Sequence, residues 1–240
     1  MARFVPENAL EKALVAAFDD PAMHPGFYEA LRDAEVWVVH YDEGDGPAPC
    51  AVSLEGQAHV AFFSSPTRAK DFAEEDGAVV RLAAREFFEN VGDAWLLLNP
   101  GTEVGKQFNP GEVQAIRDGS ILDFETEEIQ EEAQVMLDQP AEYPTELCAA
   151  LSRLFRTLKG VKRAYLAQMS IPGGSDPPHP LIGIEFARAS DWDQVVGAAT
   201  LVAREVMGDE LVEFLPIADS DDDSDVSAYL VNETEPFYTR

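Results

Sequence analysis

Apolar residues recur at four-residue spacing near the start of the chain, at Leu10, Leu14 and Phe18, which predicts a helix with one buried face. Asn8 stands at the N-cap position and Glu11 follows three residues later, the pattern of a capping box. Pro25 can open a second short helix carrying Phe27 and Leu31. The period then changes. "EVWVVHY", "PCAVSL" and "AHVAFF" are rich in β-branched and aromatic residues and are separated by glycine and acidic turns, which predicts three strands. Pro66 begins a helix, "GAVVRL" reads as a strand, "AAREFFEN" as a short helix and "AWLLL" as a buried strand. Pro110 and Glu112 after Asn109 mark one more helix start, and Gly119 its stop.

The second half is a regular series. "AQVMLDQP" reads as a strand, and residues 144–158 as a helix with Leu147, Leu151, Leu154, Phe155 and Leu158 on one face. "VKRAYLAQMS" and "LIGIEFA" follow as strands, joined by the loop "IPGGSDPPHP". A helix, "WDQVVGAATLVAREVM", and a strand, "LVEFLPI", complete a βαββαβ order, the ferredoxin-like pattern. The last segment, "SAYLVNETEPFY", with Tyr229, Phe237 and Tyr238, reads as an edge strand or a tail docked on its own domain or on a partner. Six acidic residues fall within "DFETEEIQEE", the composition of a solvated linker. The chain is therefore read as α+β: a mixed α/β N-terminal domain over 1–122, an acidic linker over 123–132, and a smaller βαββαβ domain over 133–240.

Composition narrows the function classes. A hydrophobic content of 46% in 240 residues suits a folded, two-domain chain. Against 45 Asp and Glu stand 17 Lys and Arg, and the net charge of −28 repels nucleic acid phosphates and anionic lipid alike. That charge is spread over both halves, −12 in residues 1–121 and −16 in 122–240. A basic partner or a salty cytoplasm would suit such a surface. The opening "MARFVPENALEK" has no apolar core of signal-peptide length, and no later run approaches a membrane span, so a cytoplasmic protein is expected. Cys50 and Cys148 fall in separate halves and read as free, partly buried thiols of a reducing compartment.

The candidate chemistry is sparse. "NPGTEVGKQF" places a Gly-Lys pair after an apolar run, where a phosphate-binding loop would sit. Such a loop needs four residues between its glycines and a Ser or Thr after the Lys, whereas Gly101 and Gly105 enclose three residues and Gln107 follows Lys106. An anion or partner contact by Lys106 together with the helix start at Asn109 is what this stretch still allows. Asp221, Asp223 and Asp225 have the alternation of a calcium loop, but Val226 and Asn232 stand where that loop needs Gly and Glu. His24, His40, His59 and His179 lack metal-ligand spacing, and no motif of a catalytic nucleophile occurs. No metal, no cofactor and no catalytic residue is expected. His179, in its proline-rich loop, is the most exposed histidine candidate for a contact. Trp37, Trp95 and Trp192 read as core residues.

In order, "NALEKALVAAFDDPAMHPGFYEALRDAEVWVV", "AFFSSPTRAKDF" and "LLLNPGTEVGKQFNPGEVQAI" resemble the N-terminal domain of the SseB family, the enhanced-serine-sensitivity proteins. "AQVMLDQPAEYPTELCAALSRLF", "VKRAYLAQM" and "LIGIEF" resemble that family's C-terminal domain. The resemblance implies a cytoplasmic bacterial protein of two domains, with the Asn-Pro-Gly turn and Gly-Lys pair as part of the fold. It carries over no catalytic residue. The expected function is a non-catalytic interaction or regulatory protein with an unidentified protein partner. The alternative is an amino-acid sensor, its ligand held near Ser170, the His179 loop and the helix start at Asp191; an enzyme with a spatially assembled site is a third reading. If self-repulsion of the −28 charge weakens the fold, the melting temperature should rise as salt goes from about 0.01 M to about 0.1 M, where the screening length shrinks from about 30 Å to about 10 Å. A melting temperature that does not move over that interval would show that the charges are too widely spaced to matter.

Overall fold

The computed structural model describes residues 4–42, 47–121, 135–174, 176–187, 192–208, 210–217 and 225–240. The sequence-predicted linker 123–132, Asp191, and the acidic run up to Ser224 lie outside them. Chain contacts divide the protein into two units, Met1–Leu122 and Asp123–Arg240.

In the first unit, helix α1 (Ala9–Asp19) begins where the side chain of Asn8 accepts the Glu11 N–H. It buries Leu10, Leu14 and Ala17, while Phe18 is 60% exposed, contrary to the apolar face read from spacing. Each step of four residues advances about 40° around a helix of 3.6 residues per turn, so Phe18 has drifted about 80° from Leu10. Ala17, seven residues after Leu10, holds the face instead. A 3-10 turn (Pro21–Met23) leads into α2 (His24–Arg32), which buries Phe27, Tyr28 and Leu31.

Strands β1 (Glu35–Asp42), β2 (Pro47–Pro49), β3 (Ala51–Leu54) and β4 (Gln57–Phe62) follow. Next come α3 (Pro66–Phe72), β5 (Ala78–Ala83), α4 (Ala84–Asn90), β6 (Leu96–Leu98), β7 (Lys106–Phe108) and α5 (Pro110–Asp118). They form two sheets, ordered β2-β1-β5 and β3-β4-β6-β7. The stretch read as one strand, "PCAVSL", is divided between them at Cys50, whose N–H donates to Val39 and whose carbonyl accepts from Ala61. A bridge between Trp37 and Phe63 also ties the sheets. Within the second sheet β4 and β6 run parallel, with β3 and β7 antiparallel outside them. Phe62 packs against Phe87, Phe88 and Phe108 with ring centres 4.9 to 5.9 Å apart, and Phe27 and Tyr28 of α2 close on Phe108.

The second unit alternates β and α elements: β8 (Met136–Asp138), α6 (Thr145–Thr157), β9 (Val161–Ser170), β10 (His179–Phe186), α7 (Trp192–Met207) and β11 (Glu213–Ile217). The βαββαβ succession is the predicted one, but the strands lie in chain order, β8-β9-β10-β11, whereas a split βαβ interleaves them. The reason lies at the outer edge of β9, where β8 pairs with Gln168–Ser170 and a C-terminal strand, β12 (Tyr238–Thr239), pairs with Arg163 and Ala164. The α7 crossover therefore brings β11 down parallel to β10 on the other side. Tyr238 secures β12 by donating its hydroxyl to the Phe155 carbonyl, and the Arg240 guanidinium donates to Leu158 at the end of α6. The final segment is thus a docked tail preceded by a helix, α8 (Asp225–Glu233), and not an edge strand throughout.

Leu230 of α8 packs on a face of the sheet built from Tyr165, Ala167, Met169, Leu181 and Ile217. Room for it comes from Gly183, where an added Cβ would lie 2.6 Å from Leu230 Cδ1 and 2.7 Å from Ile217 Cδ1. Gly183→Ala is expected to destabilise this unit by about 1–3 kcal/mol through overpacking. Leu230→Ala should relieve part of that penalty, so urea unfolding of the double variant should show less loss than the two single losses added. Simple additivity would show that α8 does not rest on Gly183.

Candidate functional site

The Gly-Lys stretch is a hairpin. Leu98 of β6 pairs with Lys106 of β7, so the residue read as part of a loop lies in a strand. Gly105 is required by backbone approach, since a Cβ there would lie 2.6 Å from the Leu98 carbonyl oxygen. Lys106 Nζ lies 3.4 Å from Glu112 Oε1, over the rings of Tyr28 and Phe108 at 5.7 and 5.5 Å. Tyr28 donates its hydroxyl to the same carboxylate at 2.8 Å. Asn109 completes a capping box, its N–H donating to Glu112 Oε2 and its Oδ1 accepting the Glu112 N–H. The structure thus brings Lys106 and Asn109 together around Glu112, a carboxylate of the chain itself seated at the start of α5.

His179 belongs to the second unit and is 4% exposed, not the exposed loop residue read from its proline-rich surroundings. It heads β10 opposite Met169. Its Nε2 lies 3.0 Å from Glu213 Oε1 and its Nδ1 2.9 Å from the Pro177 carbonyl oxygen. Ser170 is paired with Met136 of β8. Cys50 and Cys148 are free thiols, and burial pushes both above the ordinary thiol range, with Glu74 adding to the effect at Cys50. Neither is thereby activated as a nucleophile. No group of three or more His, Cys, Asp or Glu that could hold a metal ion occurs among the described residues.

A polar cluster that periodicity does not reveal sits where the parallel strands β4 and β6 end. Glu11 is fully buried. Its Oε1 accepts from the Ser64 hydroxyl at 2.8 Å and from Arg68 Nε at 3.3 Å, and its Oε2 accepts from the Glu7 N–H at 2.7 Å and from Arg68 Nη2 at 3.4 Å. Ser64 in turn accepts from Asn99 Nδ2 at 2.8 Å, and Asn99 Oδ1 accepts the Ser64 N–H at 3.0 Å. Asn8 donates to the Ser64 carbonyl at 2.8 Å. Asn99 itself adopts a left-handed backbone, φ +54°, a conformation that asparagine tolerates better than most residues. Among the described residues no buried side-chain nitrogen or oxygen is left without a partner. The one signal in the sequence was a charged residue, Glu11, placed three positions before Leu14 and so on the buried side of α1.

Burial by itself would raise the Glu11 pKa, but the Glu7 N–H, Arg68 and Ser64 outweigh it and hold the carboxyl below the usual carboxylate range. A carboxyl lowered by folding contributes stability that is complete above its unfolded pKa, about 4.3, and that is lost as pH falls through the folded value. The unaltered chain should therefore lose stability more steeply below about pH 4.3 than Glu11→Gln, measured by urea unfolding across that interval. Parallel pH profiles would show that Glu11 makes no such contribution.

Comparison with known proteins matches one family model within each unit. The SseB protein N-terminal domain matches residues 10–115, and the SseB protein C-terminal domain matches residues 129–240. Protein SseB of Escherichia coli (strain K12) and Protein SseB of Shigella flexneri are each 28% identical over 245 residues, covering 98% of this chain and 93% of the relative. No solved structure matches the chain. With both domains matched in sequence over almost its full length, this chain belongs to the SseB family.

Proposed function

We propose that this chain is a non-catalytic cytoplasmic binding protein whose partner is another protein with a basic surface. The observation that carries the proposal is the charge of the chain, −28 over 240 residues and shared by both halves, whose sign favours a basic partner and disfavours a second copy. Phe18 in the first unit, at 60% exposed, and Met136 and Tyr143 in the second, at 62% and 53%, are single apolar positions on that acidic surface. The polar groups that invited a chemical reading serve the fold instead: Lys106 meets Glu112, Asn109 caps α5, and His179 meets Glu213. No helix among the described residues is long and apolar enough to cross a membrane.

The competing reading is an amino-acid sensor, which the serine-sensitivity name of the family suggests. A ligand bound only by the folded protein stabilises it by about 2.7 kcal/mol at 100 times its dissociation constant, or roughly 5–10 °C for a chain of this size. Millimolar amino acids, serine and leucine included, should move the melting temperature no further than an ionic-strength control. A saturable shift with serine and not with its close analogues would overturn the protein-partner reading.

A further inference from the structure

Residues 4–7 lie across the Glu11–Arg68 pair as a bound peptide would. The Phe4 N–H donates to Glu103 Oε2 at 3.1 Å, the Val5 carbonyl accepts from Arg68 Nη2 at 2.8 Å, and the Glu7 N–H donates to Glu11 Oε2 at 2.7 Å. The Phe4 ring stacks on the guanidinium, 4.1 Å from Arg68 Cζ to the ring centre. Three of these four contacts read main chain and the fourth reads an aromatic ring, whereas the Val5 side chain is 65% exposed and goes unread. Two of the three receiving groups are fixed, since Glu11 is fully buried and Arg68 is held by that carboxylate on two of its nitrogens, while Glu103 is exposed.

We propose that Glu11, Arg68 and Glu103 form a receptor site for an extended peptide bearing an aromatic residue, and that residues 4–7 fill it in cis. The proposal rests on the reading of the chain as a binder of protein partners and names the segment chemistry such a partner would present. Carboxylates placed to take main-chain N–H groups and a guanidinium placed to take a main-chain carbonyl suit an extended strand. A ring over the guanidinium selects Phe, Tyr or Trp at the first position. The surrounding unit carries −12 over residues 1–121, so a segment with flanking basic residues is favoured over an acidic one.

The segment in cis is tethered and competes at an effective concentration on the order of millimolar, so weakening it should uncover the site. The probe is a fluorescein-labelled peptide copying residues 2–9, titrated by anisotropy against the full chain and against full-length Phe4→Ala. Phe4→Ala should bind the peptide about tenfold more tightly than the unaltered chain, since loss of the ring contact frees the site. A peptide with Ala in place of its Phe should lose that gain. Phe4→Leu, which keeps an apolar side chain of similar size at this buried position, should shift affinity the same way and gives a second route if Phe4→Ala does not fold by near-UV circular dichroism. Equal affinity for the unaltered chain and both folded variants, or indifference to the peptide's Phe, would overturn the proposal. A peptide null together with a flat amino-acid melting panel removes this site alone, whereas a saturable serine shift removes the protein-partner reading on which it rests.

Discussion

One buried carboxylate organises the N-terminal unit. Glu11 enters the core from α1 and is met by four donor contacts from three segments: the Glu7 N–H, the Ser64 hydroxyl at the end of β4, and two nitrogens of Arg68 in α3. Taking a carboxylate out of water costs several kcal/mol, and a buried ion pair seldom adds net stability over an apolar pair of the same shape. What it adds here is dependence of each part on the others. If α1, the β4 end or α3 moves away, an unpaired charge is left in the interior.

That dependence extends to the hairpin. Through Ser64 the carboxylate reaches Asn99, whose left-handed turn begins the β6–β7 connection. The Asn-Pro-Gly turn and the Gly-Lys pair then follow from packing: Asn99 satisfies Ser64, Gly105 clears the Leu98 carbonyl, and Lys106 closes on Glu112. A stretch that looks like a phosphate loop is the meeting point of two polar clusters of the fold. The same arrangement turns the guanidinium of Arg68 toward the segment 4–7, which makes structure and recognition share one residue.

The sequence was most legible where structure is set locally. Asn8 and Asn109 cap their helices as spacing predicts, because a cap involves residues three apart. The alternation of elements was readable for the same reason, and the family from the ordered combination of stretches across both halves. What was missed depends on distant partners. The carboxylate of Glu11 turns away from the Asn8 N–H toward Arg68, 57 residues on, and His179 leaves its proline-rich loop for Glu213, 34 residues on. Strand β7 is three residues long, with a burial pattern too short for a period to show. In the second unit one edge of β9 is shared by β8 and β12, strands from opposite ends of that unit, a pairing no local pattern shows.

The dependence of the N-terminal unit on one charge pair is open to a double-variant cycle at positions 11 and 68. Glu11→Met and Arg68→Met, made singly and together, would be compared by urea unfolding followed in that unit. Arg68→Met leaves the fully buried Glu11 carboxylate without its partner and should cost about 3–5 kcal/mol, Glu11→Met leaves the partly exposed Arg68 unpaired and should cost less, and the double change should cost much less than their sum. Additive losses would contradict a fold organised around Glu11, and would mean that its carboxylate is held independently of Arg68.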